Sequence, residues 1–337
     1  MNPVLDIEPW AGDLEIGRLD SNGAAAVIFI HGIQSSHDTF ERAIGYFKRD
    51  LNPKKYHYFY FDYNYRLAIR ANGIALARAL RDFHARWNGD VILVCHSMGG
   101  LVARFALLLS ETRLSFVKML FLVGTPNMGA IRLRQLGFFY YILFTSGGRV
   151  GAMMNRSPGI LDLTEVALQI QEKIKENQEL VKNTDDTLYV TIPGCYFNEN
   201  RHLPDFSQLD GPGRRYVNLE NFLRLVEAFP SAAVKIERPH DGIVEETSNC
   251  LIPSGTGRWS EKNKSINYPE SGPPTYIHIT LAACDELMHS GDLAVHCAEK
   301  VVDVICDFIE AGAINAWVDQ LSDEKKRVTN FRIHGNG

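Results

Sequence analysis

The 337-residue sequence contains no apolar run close to the roughly 20 residues that cross a membrane, and no signal-peptide stretch after Met1. We therefore expect a cytoplasmic protein. Its six cysteines include no C-x-x-C pair and no zinc-type spacing, which favours buried free thiols over a metal site. An excess of positive charge is also missing. The net charge is −5, and this argues against a nucleic-acid partner.

The sequence does contain a regular alternation of strand and helix patterns over residues 24–126, which indicates a parallel sheet with right-handed crossovers. Apolar or aromatic runs predict strands at Ala24–Ile30, Tyr56–Tyr63, Val91–Cys95, from Val117, and later at Thr187–Gly194 and Thr275–Leu281; Leu14–Leu19 is a candidate edge strand. Helical patterns cover Phe40–Arg49, Leu67–Trp87, the stretch after Gly99 to about Leu109, and Leu293–Ile309.

The rest of the chain is organised around the strand that leads into Ser97. The buried-strand pattern of Val91–Cys95 is followed at once by a small-residue turn and then by a helical pattern. A strand–turn–helix with serine at its apex is the form of a nucleophile elbow, G-x-S-x-G, although Cys95 stands where the first glycine belongs. Gly99 and Gly100 would let the helix lie close to the strand. The alternative is that Ser97 is only the N-cap of that helix.

Four segments together resemble the α/β-hydrolase superfamily, and within it the serine lipases and lipase-like esterases. They are Ile28–Ile33, Cys95–Gly100, Leu122–Gly129 and Leu161–Thr164. The G-T-P-x-x-G element is also similar to deacylases that act on glycosylphosphatidylinositol lipids. The resemblance implies an α/β-hydrolase fold, with a mostly parallel central sheet, helices on both faces and a cap or lid insertion. One domain would span residues 1–337, with 128–185 as the cap and 195–235 as a variable excursion.

The resemblance also implies where a developing oxyanion would be held. A glycine directly after a strand lets the next amide point above the sheet, and the His31-Gly32-Ile33 step precedes the first helix, where this fold places one donor. The two expected donors are the backbone N–H groups of Ile33 and Met98. The alternative for the first is an ordinary strand-to-helix loop in which His31 is a capping residue.

A serine hydroxyl needs a base within hydrogen-bond reach and an acid that orients the base, and in this fold the chain order is Ser, acid, His. Asp241 is the preferred acid, because its D-G-hydrophobic-V turn follows a strand-like segment. The competing aspartates are Asp185, Asp205 and Asp210, and an Asp-Gly turn can also be merely solvated.

For the base, His289 is preferred, because it lies in a loop between the predicted strand Thr275–Leu281 and the helix after it. Loops above the strand ends are where this fold places its chemistry. The other late histidines are His240, which adjoins the acid, His278, inside a predicted strand, and His296, inside a predicted helix.

These residues predict an enzyme that hydrolyses carboxylic esters, with a lipid or other ester as substrate, through an acyl-serine intermediate. The alternatives are hydrolysis of a non-lipid ester or thioester, such as a polyester, an acyl-CoA or a modified protein, and a non-catalytic binding module that keeps the fold. No cofactor or metal is expected, because the spacing of His240, Asp241 and His289 is not that of metal ligands.

The predicted cap has an unusual charge pattern. No acidic residue occurs from Thr112 through Leu161, whereas six basic residues do, and residues 131–155 are also rich in aromatic side chains. Such a segment suits transient contact with a membrane surface or lipid interface. The alternative is a cap helix packed on the body with its arginines solvated.

Overall fold

In a computed structural model, the described part of the chain includes eight strands that form one main sheet and five α-helices that pack against its two faces. The residues that the structure describes are 6–10, 23–33, 35–109, 114–127, 158–159, 162–163, 187–194, 244, 258–260, 265–267, 276–281, 287, 294–321 and 329–334. Most of the predicted cap (128–185) and all of 195–235 and 14–19 lie outside them.

The described elements follow the predicted alternation. The strands are β1 (Glu8–Pro9), β2 (Ala25–Ile30), β3 (Tyr56–Phe61), β4 (Val91–His96), β5 (Val117–Val123), β6 (Leu188–Ile192), β7 (Arg258–Ser260), β8 (Ser265–Asn267), β9 (Tyr276–Leu281) and β10 (Thr329–His334). The helices are α1 (Glu41–Asp50), α2 (Ile69–Trp87), α3 (Met98–Leu109), α4 (Glu299–Ala311) and α5 (Ile314–Gln320).

The main sheet has the order β1-β3-β2-β4-β5-β6-β9-β10, and β7 and β8 form a separate two-stranded pair. From β3 to β9 neighbouring strands are parallel, whereas β1 and β10 pair antiparallel at the two edges. Because parallel strands end at a common edge, the loops after β2, β4, β5 and β9 all begin on one side of the sheet. The predicted mostly parallel sheet is confirmed.

Strand β4 lies in the middle of this sheet, and all six of its residues are buried. Successive side chains alternate between the two faces, as the strand period requires. Leu93 and Cys95 join the apolar cluster under α2 and α3, whereas Ile92 and Val94 join the cluster under α1 and α4. Two-sided burial explains why the sequence of β4 is apolar without alternation, and it confirms helices on both faces.

The start of one helix and the presence of one strand differ from the sequence-based expectations. The predicted helix from Leu293 begins only at Glu299, after a short 3-10 turn over Val295–Cys297. Strand β10 follows α5 and was not predicted, and it shows that β9 is not the last strand.

None of the described helices combines the length and the apolar character required to cross a membrane.

Candidate active site

Ser97 forms a one-residue turn between β4, which ends at His96, and α3, which begins at Met98. Its φ is +53°, in the left-handed region, and holding a residue other than glycine there costs about 1–2 kcal/mol. An ordinary N-cap has extended backbone instead, so the geometry does not match the capping interpretation. The strained turn is fixed by neighbours: the Ser97 N–H donates to the Val123 carbonyl at 3.0 Å, and the Gly100 N–H donates to the Ser97 carbonyl at 3.1 Å.

The two glycines after Ser97 are required by close packing, as the sequence predicted. A β-carbon at Gly99 would overlap the carbonyl oxygens of Ile30 and His31, at the end of β2. A β-carbon at Gly100 would overlap the side chain of Thr125, just beyond β5. The first turn of α3 is therefore pressed against the carboxyl ends of both neighbouring strands.

The loop after β2 touches the same turn. A β-carbon at Gly32 would lie 3.0 Å from both the β-carbon of Ser97 and the Nδ1 of His96. Met98 is the first residue of α3, so its N–H is one of the four that a helix cannot pair within itself. The structure thus brings Gly32 and the start of α3 close to Ser97. Ile33 and Met98, whose N–H groups are the expected oxyanion donors, adjoin these two positions.

His31 is buried and bonds to backbone groups around the loop. Its Nδ1 lies 2.7 Å from the Gly32 carbonyl, and its Nε2 accepts a hydrogen bond from the Tyr63 N–H at 3.2 Å. These partners require the neutral tautomer with the proton on Nδ1. Burial lowers the pKa of His31, against an opposing effect of its bond to Gly32 and of nearby Asp62. His31 is therefore a neutral side chain that supports the loop carrying Gly32 and Ile33.

Sequence reasoning missed a second contact of this loop. Asp62, directly after β3, accepts the backbone N–H of His37 at 2.7 Å, and its other oxygen lies 2.6 Å from the Nδ1 of His37. The imidazole of His37 stacks on Tyr60, with ring centroids 3.8 Å apart. The prediction placed Asp62 inside the strand Tyr56–Tyr63, whereas β3 ends at Phe61, so Asp62 lies at the edge where the sheet's functional loops begin.

His296, one of the alternative bases, lies under the site in the 3-10 turn. Its ring stacks on that of His96 with centroids 3.7 Å apart, and its Nε2 lies 2.9 Å from the Oγ1 of Thr39. Both imidazoles are buried. The sequence did not predict this position of His296, because the apolar helical pattern that begins at Leu293 continues through the turn.

His278, another alternative base, lies within β9. Its Nδ1 is 2.6 Å from the Oγ1 of Thr191 on the neighbouring strand β6, and the side chain is buried. Asp241 and His289, the preferred acid and base, lie outside the described residues. The chain carrying His289 leaves β9 at the edge where Ser97 lies, because β9 runs parallel to β6.

The thiol of Cys95, which replaces the first glycine of the elbow pattern, has no exposed surface. Burial raises its pKa well above the ordinary value, so it is a neutral packing group beside Ser97. Among the described residues, no group of three or more His, Cys, Asp or Glu side chains has an arrangement suited to a metal ion.

The Leu161–Thr164 segment has a structural role at the start of α2. The carboxylate of Asp162 accepts the N–H of Ile69 at 2.8 Å and so caps the helix from a distant part of the chain. Nearby, a β-carbon at Gly159 would lie 3.0 Å from the Cε of Met98. The backbone of Gly159 therefore lies next to the side chain of Met98, the residue that follows Ser97.

The sheet order and the turn at Ser97 define the fold of an α/β hydrolase. Residues 21–143 match the family model described as the PGAP1-like alpha/beta domain. Phospholipase PlaB from Legionella pneumophila aligns with a TM-score of 0.54 and 15% identity, over 90% of this chain and 63% of that one. This chain thus spans less than two thirds of the phospholipase. These comparisons support the α/β-hydrolase fold for this chain.

A further solved structure is the mature form of the Bacillus licheniformis lipase BlEst2, with a TM-score of 0.49 and 16% identity over 87% of this chain and 94% of that one. A search of curated proteins finds no significant match to the sequence.

Proposed function

We propose that this protein is a serine hydrolase that cleaves carboxylic esters, with lipids as the substrate class, through an acyl-serine intermediate. The observation that carries the proposal is the positive φ of Ser97 at the apex of a turn between a buried central strand and a helix. Backbone strain of this kind persists only where surrounding structure enforces it, and it clusters at active sites.

In the proposed mechanism, Ser97 Oγ attacks the ester carbonyl while His289 takes the hydroxyl proton. Asp241 holds the imidazole in the required tautomer and stabilises its charged form. The N–H groups of Ile33 and Met98 bind the oxyanion, a contribution of about 3–4 kcal/mol per donor. His289 then gives its proton to the leaving alcohol, and water, activated by the same imidazole, releases the acid from Ser97.

Two features support lipids as the substrate class. The segment 131–155 combines aromatic side chains with arginines in a chain that is acidic overall. Just before α2 and in its second turn, Leu67 and Ile74 expose 44% and 38% of their surface, and among the described residues they are the large apolar side chains that are exposed. Apolar and basic groups together suit a lipid interface.

The serine assignment is tested with a fluorophosphonate probe and a nitrophenyl ester. We expect stoichiometric labelling and ester hydrolysis by the wild type, and loss of both in Ser97→Ala. Ser115→Ala is the matched control, because Ser115 is exposed and precedes β5 at the opposite edge of the sheet; it should behave as the wild type. Undiminished labelling of Ser97→Ala would refute the assignment.

The substrate class is tested separately with nitrophenyl esters of increasing chain length. A maximum at long chains, with activation by detergent or an interface, supports a lipid substrate. Activity confined to short chains opposes it and favours a non-lipid ester or thioester on the same catalytic groups.

A further inference from the structure

The loop from His31 to His37 carries the proposed Ile33 donor, and the structure holds it at both ends. Gln34 lies outside the described residues, and the remaining positions are described. A loop that donates a hydrogen bond to a transition state must keep its N–H in place, because a misplacement of about 1 Å can cost about a hundredfold in rate.

At its first end the loop is fixed to the backbone after β3. Tyr63 donates twice, from its backbone N–H to the Nε2 of His31 at 3.2 Å and from its hydroxyl to the His31 carbonyl at 3.0 Å. The two rings also stack, with centroids 4.4 Å apart. Both side chains are buried, so this end of the loop is packed into the core at the edge of the sheet.

At its second end the loop is held by a single carboxylate. Asp62 accepts the backbone N–H of His37 at 2.7 Å, and its other oxygen lies 2.6 Å from the imidazole Nδ1, while the imidazole Nε2 lies 3.3 Å from the carboxylate of the adjacent Asp38. Tyr60 stacks on one side of that imidazole, and Trp10 meets it edge-on at 5.4 Å. Asp62 is 40% exposed, so removing it leaves no large cavity and need not disturb the core.

We propose that Asp62 is a positioning residue that fixes the His31–His37 loop so that the Ile33 N–H faces the oxyanion. This inference rests on the proposed function. Asp62 and Tyr63 are consecutive, so the turn after β3 holds the loop at both His31 and His37. Between these two points lies Gly32, which is so close to Ser97 that an added β-carbon would lie 3.0 Å from that of Ser97. Loss of Asp62 frees the His37 end. It also removes a 3.5 Å contact between Asp62 Oδ1 and the Nε2 of His31, but the two hydrogen bonds from Tyr63 keep the His31 end attached.

The test compares Asp62→Ala with Asp62→Asn and with the control Asp90→Ala. Asp90 is also an exposed aspartate, but it precedes β4 at the opposite edge of the sheet. The concentration of active enzyme is determined by complete titration with the fluorophosphonate, so that kcat refers only to folded, reactive molecules. The nitrophenyl ester gives kcat and KM, and the rate of fluorophosphonate inactivation reports the same oxyanion contacts.

We expect Asp62→Ala to lower kcat and the inactivation rate together by about 10- to 100-fold, with KM changed less than about twofold. Asp62→Asn should stay within about threefold of the wild type, because its amide can accept the His37 N–H and donate to Nδ1 of the other neutral tautomer. Asp90→Ala should match the wild type. A purely structural role would reduce the titrated fraction and leave kcat per active molecule unchanged.

The inference is overturned if Asp62→Ala, titrated for active sites, keeps kcat within about twofold of the wild type. If that variant does not fold, His37→Ala provides the test. It removes the imidazole with its ring contacts but keeps the backbone N–H bond to Asp62, and we expect a three- to tenfold fall in kcat; an unchanged value refutes the proposal. Failure of the proposed function gives a different result, because the wild type itself would then neither hydrolyse the ester nor react with the probe.

Discussion

Replacing Gly99 with alanine tests how closely α3 must approach β2 for the site to form. The added β-carbon would lie 2.5 Å from the Ile30 carbonyl oxygen and nearer still to that of His31. Restoring ordinary contact requires a shift of about 0.9 Å, and both obstacles are backbone atoms of a central strand. Overpacking costs about 1–3 kcal/mol, and we place this site at the upper end. Alanine gains nearly 1 kcal/mol over glycine in helix propensity, so we expect a net loss of about 2 kcal/mol in the free energy of unfolding.

The same shift separates the two proposed oxyanion donors, because Gly99 adjoins Met98 and the displaced oxygens adjoin Gly32. We therefore expect kcat to fall by about a hundredfold, in addition to the loss of stability. Gly45→Ala is the matched control. Gly45 is exposed within α1, and a β-carbon there has nothing within 4 Å, so alanine should stabilise the protein by about 0.5–1 kcal/mol.

Urea unfolding followed by circular dichroism measures both variants against the wild type, and nitrophenyl ester hydrolysis measures the site. The two Gly→Ala changes should shift the urea midpoint in opposite directions. A Gly99→Ala protein with a midpoint at or above that of the wild type and with full activity would refute the close-packing argument, whatever the result for Gly45→Ala.

Two further predictions concern buried polar contacts. Burial lowers the pKa of His31 in the folded protein, so below about pH 6.5 the unfolded chain binds more protons than the folded one. The stability that neutral His31 contributes is therefore present above that pH and is lost as pH falls toward the native pKa. The urea midpoint should fall less from pH 7.5 to 5.5 in His31→Gln than in the wild type, and an equal fall in both proteins would contradict this. Asp162→Ala should lower the free energy of unfolding by about 1 kcal/mol, because it leaves the Ile69 N–H uncapped. The control is Asp82→Ala, at an exposed position on α2, which should keep the urea midpoint of the wild type. Equal midpoints for the two variants would rule out the cap.

The core of the fold was predictable because its strands are buried on both faces. β2 and β4 show unbroken apolar runs, and the helix over Ile69–Trp87 has a clear amphipathic pattern. The edge strand β10 has the short, alternating, partly polar sequence Thr-Asn-Phe-Arg-Ile-His. An edge strand has a pairing partner on one side only, so its sequence is under weaker constraint and resembles that of a loop.

The site was predictable where local sequence determines backbone geometry. The turn at Ser97 and the close approach of Gly99 follow from a small-residue step between a buried strand and a helix, and the structure has both. The contacts of Asp62 with His37 and of His296 with His96 join residues 25 and 200 positions apart. They depend on which loops meet at the sheet edge, and sequence periodicity carries no information about such pairs.

The central claim is that Ser97 becomes covalently acylated during turnover. The most direct measurement is rapid quenching of the wild type with a slowly released nitrophenyl ester, followed by mass spectrometry of the digested protein. The account predicts an acyl mass increment on the peptide that contains Ser97, formed as fast as the first equivalent of nitrophenol is released. An increment on another residue, or a full burst of nitrophenol without any acylated peptide, would contradict it.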